Sequence, residues 1–135
     1  MAQRQSRMFR FLASSLFFAL TAAPVCAEVA HNLHGVWEPY SKNYWGHGDL
    51  SIKENTISWV NCKEVPFKTL RVEGETYYVE LDSSKPCTFH GRASSFLILQ
   101  VDGNRLEVSI CGQQEELNKE PTKRLCSWGI LGRKQ

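Results

Sequence analysis

Three times between Asp49 and Cys111 the chain repeats one pattern: two short arms of alternating character joined by a short polar turn. Asp49 to Lys53 and Thr56 to Cys62 flank Glu54-Asn55. Phe67 to Val72 and Thr76 to Leu81 flank Glu73-Gly74-Glu75. Ser95 to Val101 and Arg105 to Cys111 flank Asp102-Gly103-Asn104. A side-chain period of two places Tyr77, Val79 and Leu81 on one face of a strand and Tyr78 and Glu80 on the other. It does the same for Leu106, Val108 and Ile110 against Glu107 and Ser109. Gly, Asn and Asp supply the backbone conformations that tight turns need. The pattern predicts three hairpins.

Gly35 to Tyr40 reads as an earlier strand and Arg124 to Leu131 as a last one. The one helix candidate, Gln113 to Lys119, is short and polar. About eight strands with short turns predict an all-β fold, either a small antiparallel meander barrel or a tight β-sandwich. An eight-stranded barrel is just wide enough for side chains to fill it or for one small ligand. If Trp37, Trp59, Tyr77, Phe96 and Trp128 all point inward, the interior is full.

The cysteines add a compartment and a set of staples. Arg4, Arg7 and Arg10 precede an apolar run from Phe11 to Ala23, and Pro24 ends it. Val25-Cys26-Ala27 then supplies a small-residue cleavage pattern. The run is shorter than the roughly 20 residues of a membrane helix. Residues 1–27 therefore read as a cleaved secretory signal, residues 28–135 as one domain, and the destination as periplasmic or secreted. Ala23-Pro24-Val25 is a poor match to the sequence before a lipid-anchored cysteine, which argues against an anchor at Cys26. Cleavage leaves Cys62, Cys87, Cys111 and Cys126, an even set that in an exported chain implies two disulfides. Each is worth about 3–4 kcal/mol at these loop lengths. In an up-and-down meander the near-equal spacing of Cys62, Cys87 and Cys111 brings all three to one end. Four cysteines allow three pairings. Preference for the shorter loops selects Cys62–Cys87 and Cys111–Cys126.

Three of the 16 basic residues and none of the 14 acidic ones fall within residues 1–27. The remainder is nearly neutral and has no basic stripe, which argues against a general nucleic-acid binder. His31 and His34 lie in the lead-in, and His47 and His90 are scattered. No metal-ligand spacing joins them to one another or to the cysteines, so no metal or cofactor is expected. There is no Gly-x-Ser-x-Gly elbow, and paired cysteines offer no thiolate nucleophile. The expectation is a protein without catalytic activity.

Two segments stand out as candidate contact surfaces. Trp37 to Trp45, WEPYSKNYW, is rich in aromatics, and Pro39, Ser41, Lys42 and Asn43 give it loop character. Trp37 is expected in the core. Tyr40, Tyr44 and Trp45 are divided between core and contact roles. Asp82-Ser83-Ser84-Lys85-Pro86-Cys87 is a polar loop tethered by a disulfide, and His90 and Arg92 follow closely. A rigid projecting loop suits a protein that occupies a partner's cleft, because preorganisation lowers the ordering cost.

Leu33-His34-Gly35-Val36-Trp37 resembles the Leu-x-Gly-x-Trp opening of lipocalin-like barrels, avidin-like barrels and small bacterial inhibitor barrels. In those families the Trp closes the bottom of the barrel, which implies that role for Trp37. Length, export and disulfides are similar to small periplasmic inhibitors of proteases or lysozymes. The expected function is a non-enzymatic binding protein, an inhibitor or immunity-type protein that masks a hydrolase or toxin. The rival is a lipocalin-like carrier of a small apolar ligand. A structural or assembly role in the envelope is a third.

Overall fold

The computed structural model describes residues 32–85 and 87–135. The signal reading of residues 1–27, Cys26, His31 and Pro86 lie outside the described residues.

Among the described residues ten strands follow one another: β1 (Gly35–Pro39), β2 (Leu50–Ile52), β3 (Thr56–Trp59), β4 (Cys62–Glu73), β5 (Thr76–Leu81), β6 (Cys87–Phe89), β7 (Arg92–Ser94), β8 (Phe96–Asp102), β9 (Arg105–Cys111) and β10 (Cys126–Arg133). Eight of them close into an antiparallel barrel in the order β1-β10-β9-β8-β5-β4-β3-β2, while β6 and β7 form a separate hairpin. The expected meander barrel is the fold, with one hairpin inserted between β5 and β8. Closure is made by β1 against β10, with Trp37 opposite Arg133 and Pro39 opposite Leu131.

The boundaries differ from expectation in two places. Cys62 does not end β3. The chain turns at Val60-Asn61, with Asn61 in the left-handed region, and Cys62 opens β4 opposite Trp59. The last strand begins at Cys126 and runs on to Arg133, because residues 114–118 and 121–123 are short 3-10 turns and not strand.

Period-two alternation builds the core. Leu97, Leu99 and Val101 of β8 face Leu106, Val108 and Ile110 of β9 inside the barrel, with Tyr77, Val79 and Leu81 of β5 beside them. Trp37, Trp59 and Tyr77 point inward and are buried. Phe96 and Trp128 do not. The pleat sends Phe96 outward into a second cluster with Tyr78, Ile98 and Leu117, and it leaves Trp128 59% exposed. The Trp37 indole N–H donates to the Leu33 carbonyl at 3.0 Å. The Arg133 guanidinium lies 4.2 Å from the Trp37 ring centroid and donates to the carbonyls of His34 and Asn32 at 2.7 and 2.8 Å. One end of the barrel, the base, is closed by this stack.

Both disulfides pair as the loop lengths suggested, Cys62–Cys87 and Cys111–Cys126. The four paired cysteines lie at the opposite end, the mouth. Among the described residues no helix is long and apolar enough to cross a membrane.

Candidate functional site at the barrel mouth

After Pro39 the backbone leaves the sheet but stays hydrogen-bonded to it. The N–H groups of Tyr40 and Ser41 donate to the Ile130 carbonyl at 2.9 and 3.1 Å. Ser41 Oγ accepts from the Ile130 N–H at 2.8 Å, and Asn43 donates to the Trp128 carbonyl at 2.9 Å. Side chains thus replace the strand pairing that β1 would have continued. The 3-10 turn Lys42–His47 follows.

Two glycines of β10 receive two tyrosines from opposite sides. Gly129 faces inward, and a Cβ there would stand 2.7 Å from the Tyr44 ring. Tyr44 is fully buried inside the barrel. Its hydroxyl lies 3.0 Å from the carbonyls of both Val108 and Ser127 and donates its one proton to either. Burial pushes this hydroxyl well above the ordinary tyrosine range, against the opposing effect of its hydrogen bond at Ser127, so it remains a donor. Gly132 faces outward, and a Cβ there would run into the Tyr40 ring. The contact reading of Tyr44 is therefore corrected: it is a plug in the mouth. Tyr40 and Trp45 stay 63% and 60% exposed, and Trp45 is held by its indole N–H on the Tyr40 carbonyl at 3.0 Å.

The inserted hairpin lies against this plug. His90 and Gly91 both have positive φ, the conformation of a two-residue type I′ turn. Phe89 is buried against Trp59, with ring centroids 5.2 Å apart. His47 stacks on Tyr44 at 5.1 Å, meets the edge of Trp59 at 5.4 Å, and lies 5.1 Å from His90. Cys62–Cys87 fixes one side of the hairpin. Ser94 Oγ fixes the other by donating to the Cys111 carbonyl at 2.9 Å. His47 Nε2 is buried without a hydrogen-bond partner among the described residues. Loss of solvent, and next the neighbouring His90, push His47 below the ordinary histidine value. Its neutral form is the one this cluster accommodates.

The loop before the hairpin is ordered by its own hydrogen bonds. Asp82 Oδ1 accepts from the Ser84 N–H at 3.0 Å and from the Ser84 hydroxyl at 2.9 Å, and these bonds hold the Asp82 carboxyl below its usual range. The Lys85 N–H closes the turn on the Asp82 carbonyl at 3.2 Å. Ser83, Ser84 and Lys85 are presented outward, as are His90 and Arg92.

The chain from Ser41 to His47 and the loop and hairpin from Asp82 to Ser94 thus lie at one end of the barrel, where His47 meets Phe89 and His90, while Trp37 sits at the other end. Sequence reading missed His47, Trp59 and Phe89 as members of this cluster. A signal for the hairpin was present in His90-Gly91 between two short arms, and glycines inside a strand mark close approach of another group. Among the described residues no three His, Cys, Asp or Glu side chains are arranged to hold a metal. The molecule is a closed eight-stranded antiparallel barrel with a side-chain plug and a disulfide-fixed cap at one end. Comparison with protein-family models, curated proteins and solved structures found no match.

Proposed function

We propose that this is an exported, non-enzymatic binding protein that masks a hydrolase or toxin by seating its mouth on the partner. One observation carries the reading: exposed Trp45, Lys85, His90 and Arg92 are displayed at one end of the barrel, on segments held by a disulfide and their own hydrogen bonds, and exposed Tyr40 lies on the adjoining flank over Gly132. Fixed aromatic and cationic side chains on such segments lose little entropy on binding, and aromatics with Arg dominate many interfaces. Carriage of a small apolar ligand would need interior space, which Trp37, Tyr44, Trp59 and Tyr77 occupy. Export to the periplasm or medium accords with the two disulfides.

The test is affinity capture with the exported protein on extracts of envelope and of neighbouring species. We expect one retained protein, whose retention falls about tenfold or more in Trp45→Ala and in a Lys85→Glu/Arg92→Glu variant. Failure to retain any protein, together with a lipid found in the purified barrel, would overturn masking in favour of carriage. Intact mass of the exported form is expected to correspond to residues 28–135 with both disulfides formed. A lipid on Cys26 would contradict free export.

A further inference from the structure

The flank of the barrel carries a second built surface, away from the mouth cap. Strand register sets Tyr78, Ile98, Ser109 and Trp128 side by side across β5, β8, β9 and β10 on the outer face. Thr76, Gln100 and Glu107 form the adjacent row. The connection between β9 and β10 folds over these rows, and Pro121, Thr122 and Arg124 make the far wall of a groove of about 640 Å³. That size falls within the roughly 300–1,000 Å³ of small-molecule sites.

The wall is preformed. Cys111–Cys126 closes its base. The buried Glu116 carboxylate accepts from the Leu125 N–H at 2.7 Å and pairs with Lys119 at 2.5 Å. Arg124 Nε donates to the Lys119 carbonyl at 2.9 Å. From the other side Arg71 stacks 3.8 Å from the Tyr78 ring centroid and donates to the Leu117 carbonyl at 2.7 Å.

The groove chemistry is selective. Trp128 presents an exposed indole at one edge. The side chains of Gln100, Glu107 and Ser109 make no hydrogen bond or ion pair with other described residues, so a carboxamide, a carboxylate and a hydroxyl await partners. The charges of Glu107 and Arg124 offset each other. A purely apolar ligand would bury those polar groups unpaired, at about 1–3 kcal/mol each. A strongly anionic one would face Glu107. A pyranose ring has an apolar C–H face to lay on an indole and a rim of hydroxyls that both donate and accept, which matches the amide, carboxylate and hydroxyl set.

We infer that this flank groove binds a neutral oligosaccharide, with Trp128 as the platform for one sugar ring and Gln100, Glu107 and Ser109 as its hydroxyl partners. The groove opens on the flank below the mouth, and Trp45, Lys85, His90 and Arg92 do not line it, so a glycan and a protein partner can be held together.

The test is titration of the isotope-labelled, disulfide-bonded protein with tri-N-acetylchitotriose and, separately, cellotriose, followed by NMR of the indole N–H groups. The Trp128 signal is expected to move saturably with at least one sugar while those of Trp37 and Trp59 stay in place. Trp128→Ala weakens binding about tenfold or more, and Glu107→Gln, which leaves the groove's shape intact, weakens it several-fold. Preserved amide spectra verify that both variants are folded. No Trp128 shift with either sugar up to roughly 10 mM, or undiminished binding by Trp128→Ala, overturns the inference. It also fails if Trp128→Ala abolishes capture of a protein partner while neither sugar binds, since the groove is then a protein contact. Loss of capture in the mouth variants with sugar binding intact would separate the two surfaces.

Discussion

At the base of the barrel the chain reverses through Glu54-Asn55, Gly74-Glu75 and Gly103-Asn104, and the last strand returns to stack Arg133 on Trp37. At the mouth the same barrel has long connections: a 3-10 turn, an inserted hairpin, and the excursion between β9 and β10. The base is apolar packing with its hydrogen bonds satisfied by backbone carbonyls. The mouth is a plug of rings whose polar atoms are partly unpaired. Short turns and a sealed indole serve closure, while the long, cross-linked connections leave Trp45, Lys85, His90 and Arg92 exposed. On the proposed function, stability and contact chemistry fall to opposite ends.

Substitutions can break this contrast. Trp37→Ala removes a fully buried side chain from the base and is expected to cost about 3–5 kcal/mol, read by urea unfolding. A loss below about 1 kcal/mol would mean that the base is not what holds the barrel closed. Replacing Cys62 and Cys87 together by Ser is expected to cost about 3–4 kcal/mol. Hydrogen exchange should then quicken in β6 and β7 while the base amides near Trp37 keep their relative protection. Uniform loss of protection would show the two ends to be one cooperative unit.

The paired glycines sharpen the contrast between the plug and the outer surface. Gly129→Ala drives a methyl into the buried Tyr44 ring, which cannot move away, and is expected to cost about 1–3 kcal/mol. Gly132→Ala meets the exposed Tyr40, which is free to swing outward, so its cost should stay within about 0.5 kcal/mol. Denaturant midpoints of the two variants compare them directly. Equal costs would contradict the assignment of one ring to the plug and the other to the surface.

The smallest effect is in pH dependence. The folded protein binds a proton at His47 less readily than the unfolded chain does. The His47 contribution to stability is therefore complete above about pH 6.5, the ordinary histidine value, and is lost as pH falls below it. Asp82 and Glu116 are also held below their ordinary values, but they act only near and below about pH 4. Unfolding free energy measured between pH 7 and about 5 should decline less in His47→Gln than in the unaltered protein. An unchanged decline would remove the imidazole from the cluster's energetics.

Much of the barrel was legible in the residues because a half-buried strand must alternate and a tight turn needs Gly, Asn or Asp. Leu106 to Ile110 carries that alternation without interruption, whereas Tyr77, Tyr78 and Val79 are all buried because the outer face of β5 is covered as well. Cystine pairing was legible for a related reason: a meander returns every second strand to the same end, and short loops close at least entropic cost. The direction of Phe96 and Trp128 was not. Aromatic character alone does not say which face of the pleat a side chain takes, and β8 and β10 place both outward. Nor was the role of Tyr44, since its neighbour Gly129 is remote in sequence.

By itself the sequence determined the strand periods and the three turns at the base and favoured the cystine pairing that is found, all set by interactions within a hairpin or along a short loop. Only the tertiary structure decided that Tyr44 enters the barrel over Gly129, that His47 meets His90, and that the excursion to Cys126 walls a groove beneath Trp128. Each of these depends on long-range packing, where the shape left by one strand selects the side chain that fills it.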